Sequence, residues 1–377
     1  MVPKYIRVKR DLKQQIESGK WQPGNPFPTE VKLLEQFDVS RPTLVRSLQE
    51  LAREGYLHRT RGRGTVVADF RSRQSTLIVH FFVSEELLSS FNDSRLVLSG
   101  ILDGAGTVAR QCDAHLVTHP LPQRPLSDEV RGEVSALRPR AAVVMEPSWL
   151  PGLCEFLQEI GCVVWSANEP IKGVDSVYID QEQAAYLATR CLVSEGRQHI
   201  ALLNGPADMY WGLAARRDGY LRALRESGMK PDPRLMLEVY RPLDSEAGRV
   251  SMRQLLDKQL PLDGAVCVTD RKAIGAMGAA QEADVRIPDD LAIVSIDDDL
   301  ASQATPPLTS VHMPFKEVGA LAVEQALKGL ETTPKYDHRT YAVLSPALTL
   351  RNSGGAMPKG GAPLAACRPD GTMYAAS

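Results

Sequence analysis

No stretch of the sequence is apolar over a length that could cross a bilayer, and the N-terminal MVPKYIRVKRDLKQQ is polar and charged, unlike a signal peptide. A soluble, cytoplasmic chain with no membrane partner is expected. The six cysteines, at 112, 154, 162, 191, 267 and 367, form no C-x-x-C and no zinc spacing, which fits buried thiols in a reducing compartment. The seven histidines make no H-x-x-x-H, and no G-x-S-x-G elbow occurs. Gly104-Ala105-Gly106 begins a G-x-G-x-x-A, but inside a helix pattern rather than after a strand, so it does not read as a dinucleotide site. Gly62-Arg63-Gly64-Thr65 lacks the lysine and spacing of a phosphate loop. Adjacent carboxylates such as Asp297-Asp298-Asp299 point different ways, which favours a cap or cleft role over a metal. No cofactor, metal or catalytic residue is expected.

What the chain does have is length and a divided charge. Its 377 residues suffice for two or three domains, and 43% hydrophobic with 24% charged content is ordinary for a globular protein. The net charge of −2 hides a split: residues 1 to 73 carry 15 Lys and Arg against 8 Asp and Glu, and the rest 29 against 38. A basic head on an acidic body suits a head that meets phosphates and a body that does not.

The head is organised around Pro28 to Val67. Thr29 is positioned to cap a short helix carrying Val31, Leu33, Leu34 and Phe37, and Asp38-Val39 make a turn. Ser40 can cap a second helix, with Pro42 tolerated in its first turn. Leu44, Leu48 and Leu51 give that helix a core stripe, leaving Arg41, Thr43, Arg46 and Ser47 near its N-terminal end and away from the stripe. A recognition helix places its donors there, because its first turns enter the major groove. Two short strands, Tyr56 to Thr60 and Thr65 to Val67, flank the turn Arg61-Gly62-Arg63-Gly64 and make a wing whose tip can lie against phosphate or in the minor groove. A winged helix-turn-helix is expected over residues 1–68, followed by a polar, basic linker at 69–75.

This segment resembles the DNA-binding domain of the GntR family of bacterial regulators. The shared pattern is I-x-x-G (Ile16 to Gly19), Pro23-Gly24, P-T-E (Pro28 to Glu30), V-S-R-x-T (Val39 to Thr43), L-x-x-L-x-x-E-G (Leu48 to Gly55) and G-x-G-T-x-V (Gly62 to Val67). The resemblance implies DNA contact at Ser40, Arg41, Thr43, Gly62 and Gly64, and with Thr29, Arg46, Arg61 and Arg63 these form the candidate DNA-contacting set. The family often has arginine two residues after the shared threonine; this chain has Val45 there and Arg46 next.

From residue 76 to about 352, short apolar strands alternate with helices, the pattern of parallel sheets wrapped by helices in an α/β body. Strands are expected at Leu77–Val83, His115–Thr118, Ala141–Met145, Cys162–Trp165, His199–Asn204, Gly264–Thr269 and Leu291–Ile296. So many units exceed one sheet, so two similar lobes are expected. The tail, 353–377, is rich in Gly, Ala and Pro and is expected to be disordered.

The stretches DQEQAAYLATRCLVSEGRQHIALLNG, VTDRKAIGAMGAAQEADVRIPDDLAIVSIDDD and PPLTSVHMPFKEVG resemble the effector-binding domain of the LacI/GalR regulators, which is similar to periplasmic sugar-binding proteins. The resemblance implies two lobes joined by three crossings, with a small molecule bound between them, at the ends of the strands where open α/β sheets take ligands. The motif R-x-x-G-[FYW] falls on Arg216, Gly219 and Tyr220, and the aspartate before P-P-L-T-S is Asp297. Guanidinium and carboxylate suit ligand hydroxyl or amide groups. Asp270 and Thr269 occupy another matching position, and Tyr210 and Trp211 could stack on a sugar ring. Asn168 and Trp165 are expected on the cleft rim, with Ser84, Ser94 and Arg95 as further N-lobe candidates. The LacI-type hinge helix has no counterpart, so coupling is expected to run through residues 68 to 76.

These features point to a non-enzymatic, dimeric transcription regulator, a repressor that reads a pseudo-palindromic double-stranded operator and responds to a sugar or sugar derivative. Two rivals are a DNA-binding protein whose body is only a dimerisation scaffold, and an α/β enzyme with a DNA-binding appendage.

Overall fold

A computed structural model of the chain describes residues 4–22, 24–53, 56–60, 64–68, 77–89, 94–239, 245–331 and 340–355. It divides into a head ending at residue 77 and a body beginning at residue 78.

In the head, α1 (Lys4–Glu17), α2 (Glu30–Phe37) and α3 (Arg41–Arg53) precede a hairpin of β1 (Leu57–Thr60) and β2 (Gly64–Val67). Val8, Leu12 and Ile16 fall four residues apart on α1 and pack with Leu33, Leu44, Leu51, Leu57 and Val67. Asp38 ends α2 in the left-handed region, its amide bonding back to the Leu34 carbonyl. Thr29 precedes α2, but its side chain makes no cap hydrogen bond, so the expected cap is positional only. The hairpin is antiparallel, with Leu57 opposite Val67 and Thr60 opposite Gly64. A third segment adds to it: the Gly24 and Phe27 amides donate to the Val67 and Thr65 carbonyls at 2.9 and 2.8 Å. The expected winged helix-turn-helix is therefore present.

The body holds two six-stranded sheets. The first is built from β3 (Leu77–Ser84), β4 (Ala114–Leu121), β5 (Ala141–Met145), β6 (Val163–Ala167), β7 (Asp175–Ile179) and, later in the chain, β13 (Tyr341–Leu344). Helices α4 (Glu85–Ser89), α5 (Ser94–Gln111), α6 (Asp128–Ala136) and α7 (Leu153–Glu159) lie along that part of the chain. The second sheet holds β8 (Ile200–Asn204), β9 (Met236–Glu238), β10 (Gly264–Cys267), β11 (Ala292–Asp297), β12 (Thr309–His312) and β14 (Ala347–Thr349). With it come α8 (Gln181–Ser194), α9 (Trp211–Glu226), α10 (Ser245–Asp257) and α11 (Asp270–Glu282). Helix α12 (Phe315–Gly329) follows a strand of the second sheet yet packs against α5 of the first. The chain thus passes between lobes three times: at Asp180, at Met313-Pro314 and at Ser345-Pro346.

Strand order is β13-β7-β6-β5-β3-β4 in the N-lobe and β14-β12-β11-β10-β8-β9 in the C-lobe. Registers run parallel at β3–β5, β5–β6 and β6–β7 in one lobe and at β8–β10 and β10–β11 in the other, whereas β14 pairs antiparallel with β12. Strands covered on both faces need unbroken apolar runs, and β5, β8 and β10 have every residue buried. The body also runs past residue 352. Ser353, expected in the tail, is fully buried, its hydroxyl donating to the Ile293 carbonyl at 2.6 Å and accepting the Thr309 amide at 2.9 Å.

Helices α8 and α9 meet at a glycine. A Cβ on Gly219 would overlap the backbone carbonyl of Glu182, so the glycine of the R-x-x-G-Y motif serves close packing. Gly104 plays the same part between α5 and α12, facing the Lys316 carbonyl, which accounts for the dinucleotide-like pattern. Gly219→Ala is expected to cost about 1–3 kcal/mol through forced overpacking and to lower the body's melting temperature by several degrees. Gly132→Ala, with open space around it, should leave that temperature unchanged or raise it, as thermal denaturation of both variants will show.

Candidate DNA surface and effector cleft

In the head, the recognition-helix N-terminus presents Ser40, Arg41, Thr43 and Arg46. Ser40 Oγ and Thr43 Oγ1 lie 2.8 Å apart, tying the turn to the first helical turn. The Arg41 side chain is 76% exposed and pairs with Glu30 at 3.3 Å. The Arg46 guanidinium is exposed and lies 3.9 Å above the Tyr5 ring, an arrangement that limits its rotamers while leaving its edge open. Ser47 differs from expectation: it is fully buried and donates to the Tyr5 and Thr43 carbonyls at 3.0 and 2.9 Å, so it serves packing between α1 and α3. Thr29 is exposed, and Gly64 starts the return strand with φ +76°. Arg61, Gly62 and Arg63 lie outside the described residues.

In the body, the polar groups converge where strands of both sheets end. Arg216, on α9, is buried; its Nε donates to Gln181 Oε1 at 2.9 Å and its Nη1 to the Val268 carbonyl at 2.6 Å. Nη2 lies 3.8 Å from Asp297 Oδ1. Asp297 closes β11 with φ +115°, and Asp298 follows at φ +64°. Two consecutive non-glycine residues in this region are strained and need anchors. The anchors are present: the Asp298 amide donates to Ser310 Oγ at 3.1 Å, and the Met313 amide to the Asp297 carbonyl at 3.3 Å. The Asp298 carboxylate forms an ion pair with Arg351 at 2.6 Å and accepts from Thr349 at 3.0 Å.

Asp270 and Thr269, expected to face the effector, are instead built into this support. Asp270 accepts from the Ser295 and Ser310 hydroxyls at 2.6 and 2.8 Å and from the Leu300 amide at 2.8 Å. Thr269 caps α11 by accepting the Lys272 amide at 3.1 Å. Among the described residues no histidine, cysteine and carboxylate cluster is placed to hold a metal.

The N-lobe contributes Asn168 and, unforeseen, Glu146 and Glu169. Glu146 follows β5 at φ +45° and Asn168 follows β6 at φ +66°, both buried. Asn168 Nδ2 donates to Glu146 Oε1 at 2.8 Å. The C-lobe reaches the same residue: the Tyr210 hydroxyl and Trp211 Nε1 donate to the Asn168 carbonyl at 3.1 and 3.3 Å. These aromatics pack edge-on to each other and, for Trp211, to Tyr178 at 5.6 Å, so they bridge the lobes. Burial pushes the Glu146 carboxyl up to about 7, with the neighbouring Glu169 charge adding to it and the Asn168 bond and Arg216 opposing it. Glu169, whose carboxylate accepts the Ser148 amide at 2.8 Å, is raised by the same burial. Trp165 lies within β6 in the core, not on the rim, and Ser84 is buried, accepting the Leu87 amide at 3.2 Å. The side chains of Ser94 and Arg95 lie outside the described residues.

A DNA-binding head on a two-lobed, ligand-binding type of body defines the class. Residues 4–67 match the model for bacterial regulatory proteins of the gntR family, and residues 189–354 the model for periplasmic binding protein-like domains. The chain thus joins a head of the gntR type to a body that carries a periplasmic-binding-protein-like domain. The arabinose metabolism transcriptional repressor of Geobacillus stearothermophilus is 24% identical over 367 residues, spanning 93% of this chain and 98% of that one. The ribose operon repressor of Haemophilus influenzae is 33% identical over 181 residues, 48% of this chain and 53% of the relative. Among solved structures, the regulator CelR in complex with cellobiose aligns with TM-score 0.60 at 24% identity, over 84% of this chain and 91% of that one. The lac repressor dimer bound to operator and an anti-inducer aligns with TM-score 0.63 at 19% identity, over 76% and 97% of the two chains. These structures share the fold.

The raised Glu146 carboxyl has a stability consequence. The folded state holds this proton more tightly than the unfolded chain, so its stabilisation is complete below about 4.5 and is lost as pH rises through about 7. Glu146→Gln removes that loss. The variant should gain up to about 3 kcal/mol over the parent at pH 8 and little at pH 4, read by denaturant unfolding at both values.

Proposed function

We propose that this protein is a ligand-responsive, sequence-specific transcription regulator that represses a carbohydrate-use operon and whose operator affinity changes when a sugar-like effector binds between the lobes. The observation that carries the reading is the buried polar cluster between the sheets, where Arg216 and Asp297 of one lobe face Glu146 and Asn168 of the other. A ligand there touches both lobes and so favours one arrangement of them over another, which is how a bound molecule shifts a two-state equilibrium. The similar arabinose and ribose repressors support a sugar as effector.

The head grips double-stranded DNA through the recognition helix and wing, and a homodimer places two heads on a pseudo-palindromic operator. The coupling between body and head runs through the residues joining β2 to β3. The protein acts in the cytoplasm, where its DNA lies, and no helix among the described residues is long and apolar enough to cross a membrane. Binding rather than turnover is its task, as for the regulators it is similar to.

Arg216→Ala and Asp297→Ala each remove a charge-assisted ligand contact worth about 1.5–3 kcal/mol, roughly 10- to 150-fold in effector affinity. Both variants should keep operator binding and lose the response. Replacing Arg41 and Arg46 together by Ala should weaken operator binding at least tenfold, at about 1–3 kcal/mol per contact, while ligand affinity stays at the parental value. Fluorescence anisotropy on the protein's own promoter region, with calorimetry on arabinose, ribose and cellobiose, reads both. A parent protein whose operator binding is indifferent to every sugar and nucleoside offered leaves only the scaffold reading.

A further inference from the structure

The groups brought together between the lobes are unequal in charge. Glu146 and Glu169 come from the N-lobe and Asp297 from the C-lobe, all buried. Arg216, the cation whose charge acts on Glu146, already donates to Gln181 and the Val268 carbonyl and turns its remaining edge to Asp297. It balances one carboxylate and has no second charge for an incoming anion.

The hydrogen-bonding inventory points the same way. Asn168 is 3% exposed, and its Oδ1 is a buried acceptor with no partner among the described residues, while its Nδ2 is committed to Glu146 and Tyr210. A donor from a bound ligand can fill that place. Glu146, 7% exposed and with its carboxyl raised by burial, is able to hold a proton near neutral pH and so to donate as well as accept. A hydroxyl group satisfies both neighbours, because it donates to one and accepts from the other. A phosphate or carboxylate supplies acceptors only, and brings its charge against three carboxyl groups.

On the effector reading proposed above, we propose that Glu146 and Asn168 form the N-lobe half of the effector site, and that with Glu169 and Asp297 they admit an uncharged polyhydroxylated ligand while barring its phosphorylated form. The C-lobe pair orients the ligand, and the N-lobe pair screens its charge.

The full-length protein is titrated by calorimetry at pH 8, above the value of about 7 to which burial raises the Glu146 carboxyl, with L-arabinose, D-ribose and adenosine, each beside its monophosphate, and operator binding is followed in parallel. A neutral compound binds, and its monophosphate binds at least about tenfold more weakly, the scale of like charges a few ångströms apart in a partly buried site. Glu146→Gln combined with Glu169→Gln narrows that gap to about threefold or less by improving the phosphate. Asn168→Ala weakens the neutral compound at least about tenfold. Monophosphates that bind as tightly as their parents, or a gap that persists in the glutamine variant, overturn the proposal. If a monophosphate is the tighter ligand and alters operator affinity, the effector reading stands and the charge screen alone falls. If no compound, neutral or anionic, alters operator binding, the effector reading falls and takes the screen with it.

Discussion

Buried polar groups must find partners, and in this body the partners of one residue come from both lobes. Asn168 sits in a left-handed conformation at the end of β6, donates to Glu146 in its own lobe, and accepts from Tyr210 and Trp211 in the other. Separating the lobes exposes or strands these groups, and joining them around a ligand satisfies more of them. A few hydrogen bonds, each worth about 0.5–1.5 kcal/mol net, are the right size to make such an equilibrium responsive rather than locked.

The C-lobe side of the same junction is tied to the crossings. The strained Asp297-Asp298 turn is held by Ser310 and Met313, which flank the second passage between lobes, and by Thr349 and Arg351, which follow the third. A ligand that pulls on Asp297 therefore pulls on backbone that belongs to the hinges. Asp270, which braces Ser295 and Ser310 from behind, keeps the turn in place. Strain of this kind persists only where the surroundings over-determine it.

Much of this was legible in residue order. The recognition helix, the wing and the alternation of apolar strands with helices follow from periodicity and turn chemistry, and β5 has its expected bounds at Ala141 and Met145. The strands that escaped, β7, β9, β12, β13 and β14, span three to five residues each. Three of them bear exposed or half-buried positions at sheet margins, and β9 and β14, at three residues, are too short to show a period. Trp165 lies in the core rather than on the rim because β6 continues two residues beyond it, to Ala167, in a sheet covered on both faces. Ser47 falls three residues after Leu44 and four before Leu51, so helical spacing sets it on the buried stripe despite its hydroxyl. Glu146 was the largest omission. A lone carboxylate directly after five buried residues, at the ligand end of a parallel strand, is itself a signal, but its left-handed backbone and its bond to Asn168 exist only in the fold.

The central claim is that the arrangement of the lobes sets the grip on DNA. Dyes placed through Glu133→Cys on the N-lobe and Lys258→Cys on the C-lobe, in a Cys112→Ser, Cys367→Ser background, report the inter-lobe distance by energy transfer while the protein sits on its operator. As the best-binding sugar is added, the transfer efficiency and the operator affinity should change together, with a common midpoint. Operator affinity that changes while the inter-lobe distance stays fixed, or lobes that move with no effect on the bound DNA, would contradict it.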